Sequence, residues 1–211
     1  MTFDGGDGQD TAIAIMGSNL LIDSGGLYQF DPPQNDDLSI DDFFMGDFGD
    51  DELSGGLGND VLLGDRPSQF LSGSDFIEGG KGADFLQGGG GADVFYFASY
   101  DSLTREFNDI GTDVIGYVDE NTLYAELNSS APMISNLTAN ARKDFEIGVD
   151  IVQLAGIPSS TRSYIENNLK FYLTDTDDGV VFDNYAVSIL FVDVTAADLL
   201  AVSVSDVFEF V

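Results

Sequence analysis

The chain has 211 residues, 43% of them hydrophobic, which is enough for a buried core and too many for wholesale disorder. Its 38 acidic residues face only 7 basic ones, a formal net charge of -31, so it lacks the clustered Lys and Arg that nucleic acid or an anionic membrane surface requires. Cys and His are both absent, which excludes disulfides, thiolate chemistry, Ser-His-Asp triads and nearly all zinc sites, and leaves oxygen as the metal-ligating atom.

The acids divide into 30 Asp and 8 Glu, a bias toward turns and metal loops over helix surfaces. At the start, Met1-Thr2-Phe3-Asp4-Gly5-Gly6 has no basic n-region and no long apolar run, so no cleavable signal peptide is expected there. The longest apolar stretches, such as residues 186–192, are too short to span a bilayer, and no transmembrane segment is expected. Residues 31–52 form an acidic run that reads as a solvated segment.

Glycine concentrates in residues 46–93, which hold 14 of the 25 glycines and eight aspartates, and the period there is nine. Gly46-Asp47-Phe48-Gly49-Asp50-Asp51-Glu52-Leu53-Ser54 runs directly into Gly55-Gly56-Leu57-Gly58-Asn59-Asp60-Val61-Leu62-Leu63. A third unit opens at Gly64-Asp65, is interrupted by residues 66–71, and resumes at Ser72-Gly73-Ser74-Asp75-Phe76-Ile77-Glu78. Gly79-Gly80-Lys81-Gly82-Ala83-Asp84-Phe85-Leu86-Gln87 and Gly88-Gly89-Gly90-Gly91-Ala92-Asp93-Val94-Phe95-Tyr96 complete the array. The frame is G-G-x-G-x-D-x-U-x, with U a large apolar residue. Glycines at its first, second and fourth places permit a tight turn with inward carbonyl oxygens, and the sixth-place Asp adds a carboxylate. The last three places form a short strand that buries U: Leu53, Leu62, Ile77, Leu86 and Phe95. One unit cannot bury that residue alone, but stacked units can, provided that the facing carboxylates are neutralised. A flexible glycine-rich linker would not keep an apolar residue in phase with Asp at every ninth position.

This frame resembles the RTX family, the hemolysin-type calcium-binding repeats of proteins exported by bacterial type I secretion systems. The resemblance implies a mainly β fold, a parallel β-roll of calcium-stabilised nonapeptide coils with a β-rich C-terminal cap carrying a few short helices. It implies Ca2+ held between turns two units apart, with Asp51, Asp60, Asp75, Asp84 and Asp93 as carboxylate ligands. The expected pairs are Asp51 with Asp75, Asp60 with Asp84, and Asp75 with Asp93, roughly three sites of about 6–8 oxygens each. Backbone carbonyls of Gly46, Gly49, Gly55, Gly56, Gly58, Gly73, Gly79, Gly80, Gly82, Gly88, Gly89 and Gly91 supply the other ligands in that reading. A partial unit, Gly5-Gly6-Asp7-Gly8-Gln9-Asp10-Thr11-Ala12-Ile13, stands apart from the array, with Asp10 as a secondary ligand candidate. Asp47 departs from the second Gly of the frame, and the interruption at 66–71 either spoils a site or bulges outward.

Beyond the array, Asp144-Phe145-Glu146-Ile147-Gly148-Val149-Asp150-Ile151-Val152-Gln153-Leu154 resembles a segment typical of the family's C-terminal cap. Residues 100–143 read as a polar insertion with short helices at 122–127 and 135–142. Residues 159–170 read as a helix capped by Ser or Thr, and 170–174 and 179–192 as strands joined by a turn at Asp178-Gly179. Asp150, Asp175, Asp177 and Asp178 read either as an extra ion site or as turn and surface residues. The chain thus divides into an acidic, β-rich N-terminal flank over 1–45, the roll over 46–97 and the cap over 98–211. Its last residues, Ser205-Asp206-Val207-Phe208-Glu209-Phe210-Val211, either resemble an uncleaved secretion signal or form a final strand.

No H-E-x-x-H, G-x-S-x-G, phosphate loop or S-x-x-K occurs, and no Trp is present to frame a saccharide cleft, so no enzyme activity is expected. The functional expectation is a secreted or cell-surface calcium-binding protein that folds on calcium and engages type I secretion machinery. Two alternatives stand beside it: a calcium-dependent self-associating surface or matrix protein, and the non-catalytic C-terminal portion of a larger toxin or hydrolase.

Overall fold

A computed structural model describes residues 2–4, 11–15, 18–23, 26–29, 41–47, 49–65, 73–98, 111–127, 133–184 and 186–211. The seventh to ninth places of each unit leave their glycine turn as a short strand, and successive strands fall alternately on two facing sheets. Strands β1 (Thr2–Asp4), β2 (Thr11–Ile15), β3 (Ser18–Asp23) and β4 (Gly26–Gln29) open the chain. In the array, β5 (Phe43–Asp47), β7 (Val61–Asp65) and β9 (Phe85–Gln87) build one sheet, while β6 (Glu52–Leu57), β8 (Phe76–Lys81) and β10 (Val94–Ala98) build the other. All of these neighbours pair in parallel, and the U residues align: Leu53 beside Ile77, Ile77 beside Phe95, and Leu62 beside Leu86. The architecture is the parallel β-roll that the family resemblance implies.

The ladder does not stop where the glycine-rich stretch ends. β11 (Asp113–Ile115) extends the first sheet, followed in parallel by β15 (Ser188–Val192), while β12 (Ile151–Ala155) and β16 (Phe208–Phe210) extend the second. At the other end, β1 lies parallel to β5, and β2 lies parallel to β6 with Ala12 beside Leu53. The partial N-terminal unit is therefore in register with the array rather than remote from it, U place against U place. Asp10 itself lies outside the described residues, as do residues 66–72 with the interruption.

Two apolar clusters hold the roll. Between the sheets, Leu53, Leu62, Ile77, Leu86 and Phe95 are fully buried with Phe44, Ile115 and Val152 from the flanking coils, and Phe145, Phe182, Phe191 and Phe208 close the C-terminal end. Each such burial contributes about 1.5–3 kcal/mol, which the turns alone cannot supply. The second cluster lies on the outer face of the first sheet, where Phe43, Met45, Val61, Leu63, Phe85 and Val114 are covered. The cover comes from α1 (Glu120–Leu127) and α2 (Met133–Asn140) through Leu123 and Leu137. Both expected helices form, but the segment read as a polar insertion buries an apolar face.

Two further expectations need correction. α3 (Ser159–Asn168) follows Pro158 as its N-cap, which has no side chain to accept a capping hydrogen bond, where a Ser or Thr cap was expected. The strand expected over 179–192 is a hairpin of β14 (Gly179–Asp183) with β15, itself paired on β13 (Leu173–Asp175). The reversal is made by Asn184, whose Oδ1 accepts from the N–H groups of Ala186 and Val187, both at 2.9 Å.

Candidate metal centre

The sixth-place aspartates form two columns, one along each line of turns. In each column the backbone N–H of one Asp donates to Oδ1 of the next: Asp51 to Asp75 at 2.9 Å, Asp75 to Asp93 at 2.9 Å, and Asp60 to Asp84 at 2.8 Å. The three pairs that the resemblance implies are thus brought together. The columns also run further. Asp42 donates to Asp60 at 2.7 Å, Asp84 to Asp113 at 2.9 Å, and Asp93 to Asp150 at 3.1 Å.

The glycines explain where the other carboxylate oxygen goes. A Cβ on first-place Gly46, Gly55, Gly64, Gly79 or Gly88 would collide with Oδ2 of Asp51, Asp60, Asp75, Asp84 or Asp93 respectively. The missing side chain is the cradle that seats the carboxylate. Backbone oxygen converges on the same places: Gly79 O lies 2.6 Å from the Cβ position of Gly55, and Gly88 O lies 2.8 Å from that of Gly64. The remaining glycines stack turn on turn. A Cβ on Gly73 would strike Gly49 O, one on Gly80 would strike Gly56 O, one on Gly82 would strike Gly58 O, and one on Gly91 would strike Gly73 O. At Gly56, Gly58, Gly80, Gly82, Gly89 and Gly91 φ is positive, a conformation that glycine adopts without strain. The relations of Gly64 to Asp75 and of Gly73 to Gly49 and Gly91 match those of uninterrupted units, so the frame is kept on both sides of residues 66–71.

The electrostatics are those of a site built for a cation. Asp60, Asp75, Asp84 and Asp93 are all buried, and Oδ2 of Asp60 and of Asp75 accepts no hydrogen bond. Burial pushes Asp60 up to about 7, Asp75 up to about 9 and Asp93 up to about 7, against the pull of the neighbouring Asp N–H and reinforced by the other carboxylates of the column. Among the described residues no three acidic side chains converge as a metal cluster, so a cation here would draw most of its oxygens from the backbone. Buried carboxylate oxygen, glycine carbonyls and an absence of nitrogen or sulfur donors fit a hard, oxygen-seeking ion such as Ca2+.

Several members of the columns lie outside the nonapeptide frame. Asp113 and Asp150 carry only its second half, as Gly111-Thr112-Asp113-Val114-Ile115 and Gly148-Val149-Asp150-Ile151-Val152. That half-frame, G-x-D-x-U, is the signal that finds them; Gly111 meets Gly82 O as other fourth-place glycines meet theirs. Asp150 is buried in the column, not a surface residue. Its carboxylate is closed by Asp93 N–H and by Glu146 N–H, the latter at 2.6 Å, and Phe145 stands where a first-place glycine would be. Asp175 accepts from Ala196 N–H at 2.7 Å, and Asp177 and Asp178 are exposed.

Comparison with known families places the chemistry. A family model for the RTX calcium-binding nonapeptide repeat matches residues 39–66 and 71–99, in 4 copies. The chain carries this repeat, and Ca2+ is the ion that it binds. No curated protein and no solved structure matches the chain.

Proposed function

We propose that this calcium-binding β-roll protein is an exported, non-enzymatic module whose roll closes when calcium is present. The observation that carries the reading is the pair of buried Oδ2 atoms on Asp60 and Asp75, each bordering a glycine cradle that a carbonyl of the turn two units on also borders. Calcium would supply the positive charge that lets these carboxylates stay ionised inside the fold. Asp51, Asp60, Asp75, Asp84 and Asp93, with glycine carbonyls of the turns, would hold it. Where calcium is scarce, as inside a cell, the mutual repulsion of these carboxylates favours an open chain suited to passage through type I secretion machinery. Outside, each ion at 100 times its dissociation constant would stabilise the roll by about 2.7 kcal/mol. The absence of nucleophile, metalloprotease and phosphate-loop motifs supports a non-catalytic role.

The test is a calcium titration followed by far-UV circular dichroism and hydrodynamic radius, with magnesium as control. A calcium-specific gain of β-structure with compaction is expected. A folded chain indifferent to calcium would overturn the folding switch, and growth in radius would favour the self-associating alternative.

A further inference from the structure

The turn at residues 88–91 is four consecutive glycines, the stretch of the array with the most backbone freedom to lose. Two buried carboxylates grip it. Asp144 accepts from Gly88 N–H at 2.7 Å through Oδ2 and from Gly89 N–H at 3.2 Å through Oδ1. Asp65 accepts from Gly90 N–H at 3.0 Å through Oδ2, and its own N–H donates to Gly88 O at 3.1 Å. Gly88 O and Asp75 Oδ2 both border the cradle of Gly64.

Neither carboxylate belongs to the repeat's ligand pattern. Asp65 occupies a second-place glycine position, and Asp144 lies 56 residues beyond Gly88. The equivalent turn of the other column, residues 79–81, is held differently: it lies in β8 and pairs in register with β6, Gly56 beside Gly80 and Leu57 beside Lys81.

We infer that Asp65 and Asp144 are positioning residues that clamp the Gly88–Gly90 turn and aim the Gly88 carbonyl at Asp75, so that the Asp75–Asp93 step is organised for calcium ahead of the other steps. The inference rests on the calcium reading above. Holding the turn in place lowers the ordering cost that binding must otherwise meet. Asp65 also adds negative charge beside Asp75.

The experiment measures stepwise calcium affinity and stoichiometry by chelator competition on the full chain, comparing wild type with Asp65→Ala, Asp144→Ala and, as a control in the other column, Asp84→Asn. Partners of this second kind are typically worth about 10- to 100-fold in metal affinity, so Asp65→Ala and Asp144→Ala, which remove the acceptors, should each weaken the tightest step by that factor and leave the others unchanged. Asp84→Asn should instead spare the tightest step. If Asp144→Ala fails to fold in saturating calcium, Asp65→Ala carries the test, with Asp65→Asn, which keeps an acceptor for Gly90 N–H, retaining most of the affinity. Equal weakening of every step, or thermal destabilisation with calcium affinities unchanged, would overturn the clamp. Failure of wild type to bind calcium would overturn the underlying reading instead.

Discussion

The backbone N–H of Asp60 and the Oδ1 of Asp84 lie 2.8 Å apart although 24 residues separate them, and this bond fixes the stacking of two coils. Oδ2 of Asp84 meanwhile occupies the cradle of Gly79. In the calcium reading proposed above, one carboxylate thus serves the fold through Oδ1 and the ion through Oδ2. Replacing Asp84 by Asn keeps an acceptor but removes the charge; it should weaken calcium at that step by about tenfold or more while easing the carboxylate repulsion that opens the calcium-free roll. Asp84→Ala should lose both, with an added cost of about 1–3 kcal/mol for the orphaned N–H. Calcium calorimetry and denaturant titration of the two variants separate these effects.

Gly55→Ala tests the cradle alone. The backbone at Gly55 does not have the positive φ that excludes alanine, yet its Cβ would lie 2.6 Å from Gly79 O and collide with Asp60 Oδ2. A cost of about 1–3 kcal/mol is expected, typical of overpacking, together with loss of calcium at the Asp60–Asp84 step. Calorimetry showing an unchanged number of ions would contradict the cradle.

Leu62 is fully buried, with Phe44 and Leu86 beside it in the ladder. Leu62→Ala should cost about 2–5 kcal/mol even in saturating calcium. Leu200→Ala, at a side chain 47% exposed, should stay within about 0.5 kcal/mol. Thermal melts of both variants check the contrast.

The buried carboxylates also set a pH dependence. Asp60, Asp75 and Asp93 are raised by burial from 3.8 to about 7, 9 and 7. An acid raised in the folded state stabilises fully below its unfolded value, and that contribution is lost as pH rises through the folded value. The calcium-free roll should therefore lose stability from about pH 4 upward through about pH 7–9. With calcium the trend should reverse, because the ion binds the ionised form and protons compete with it. Melting temperatures across this range, in calcium-free buffer and in calcium, test both signs.

The roll was legible because each unit repeats one solution, and Leu53, Leu62, Ile77, Leu86 and Phe95 could be assigned to the core from their phase with Asp. Asp113 and Asp150 were not, because 29 and 57 residues separate them from their column neighbours and only half the frame survives. The cover by α1 and α2 left only a weak trace. Both residues flanking U are apolar in two coils of the covered sheet, at Phe43 and Met45 and at Val61 and Leu63, but Gln87 there is polar, and Phe76, Val94 and Tyr96 flank U on the other sheet. No single alternation therefore marks one outer face for burial. Asp65 and Asp144 act through backbone N–H groups distant in sequence, which no local pattern records.

Amide hydrogen exchange with and without calcium tests the central claim most directly. If calcium closes the roll, the amides of Asp60, Asp75 and Phe85, which bond across turns, should be strongly protected in calcium and exchange rapidly when it is removed. Equal protection in both conditions would contradict the account, because the columns would then stack without the ion.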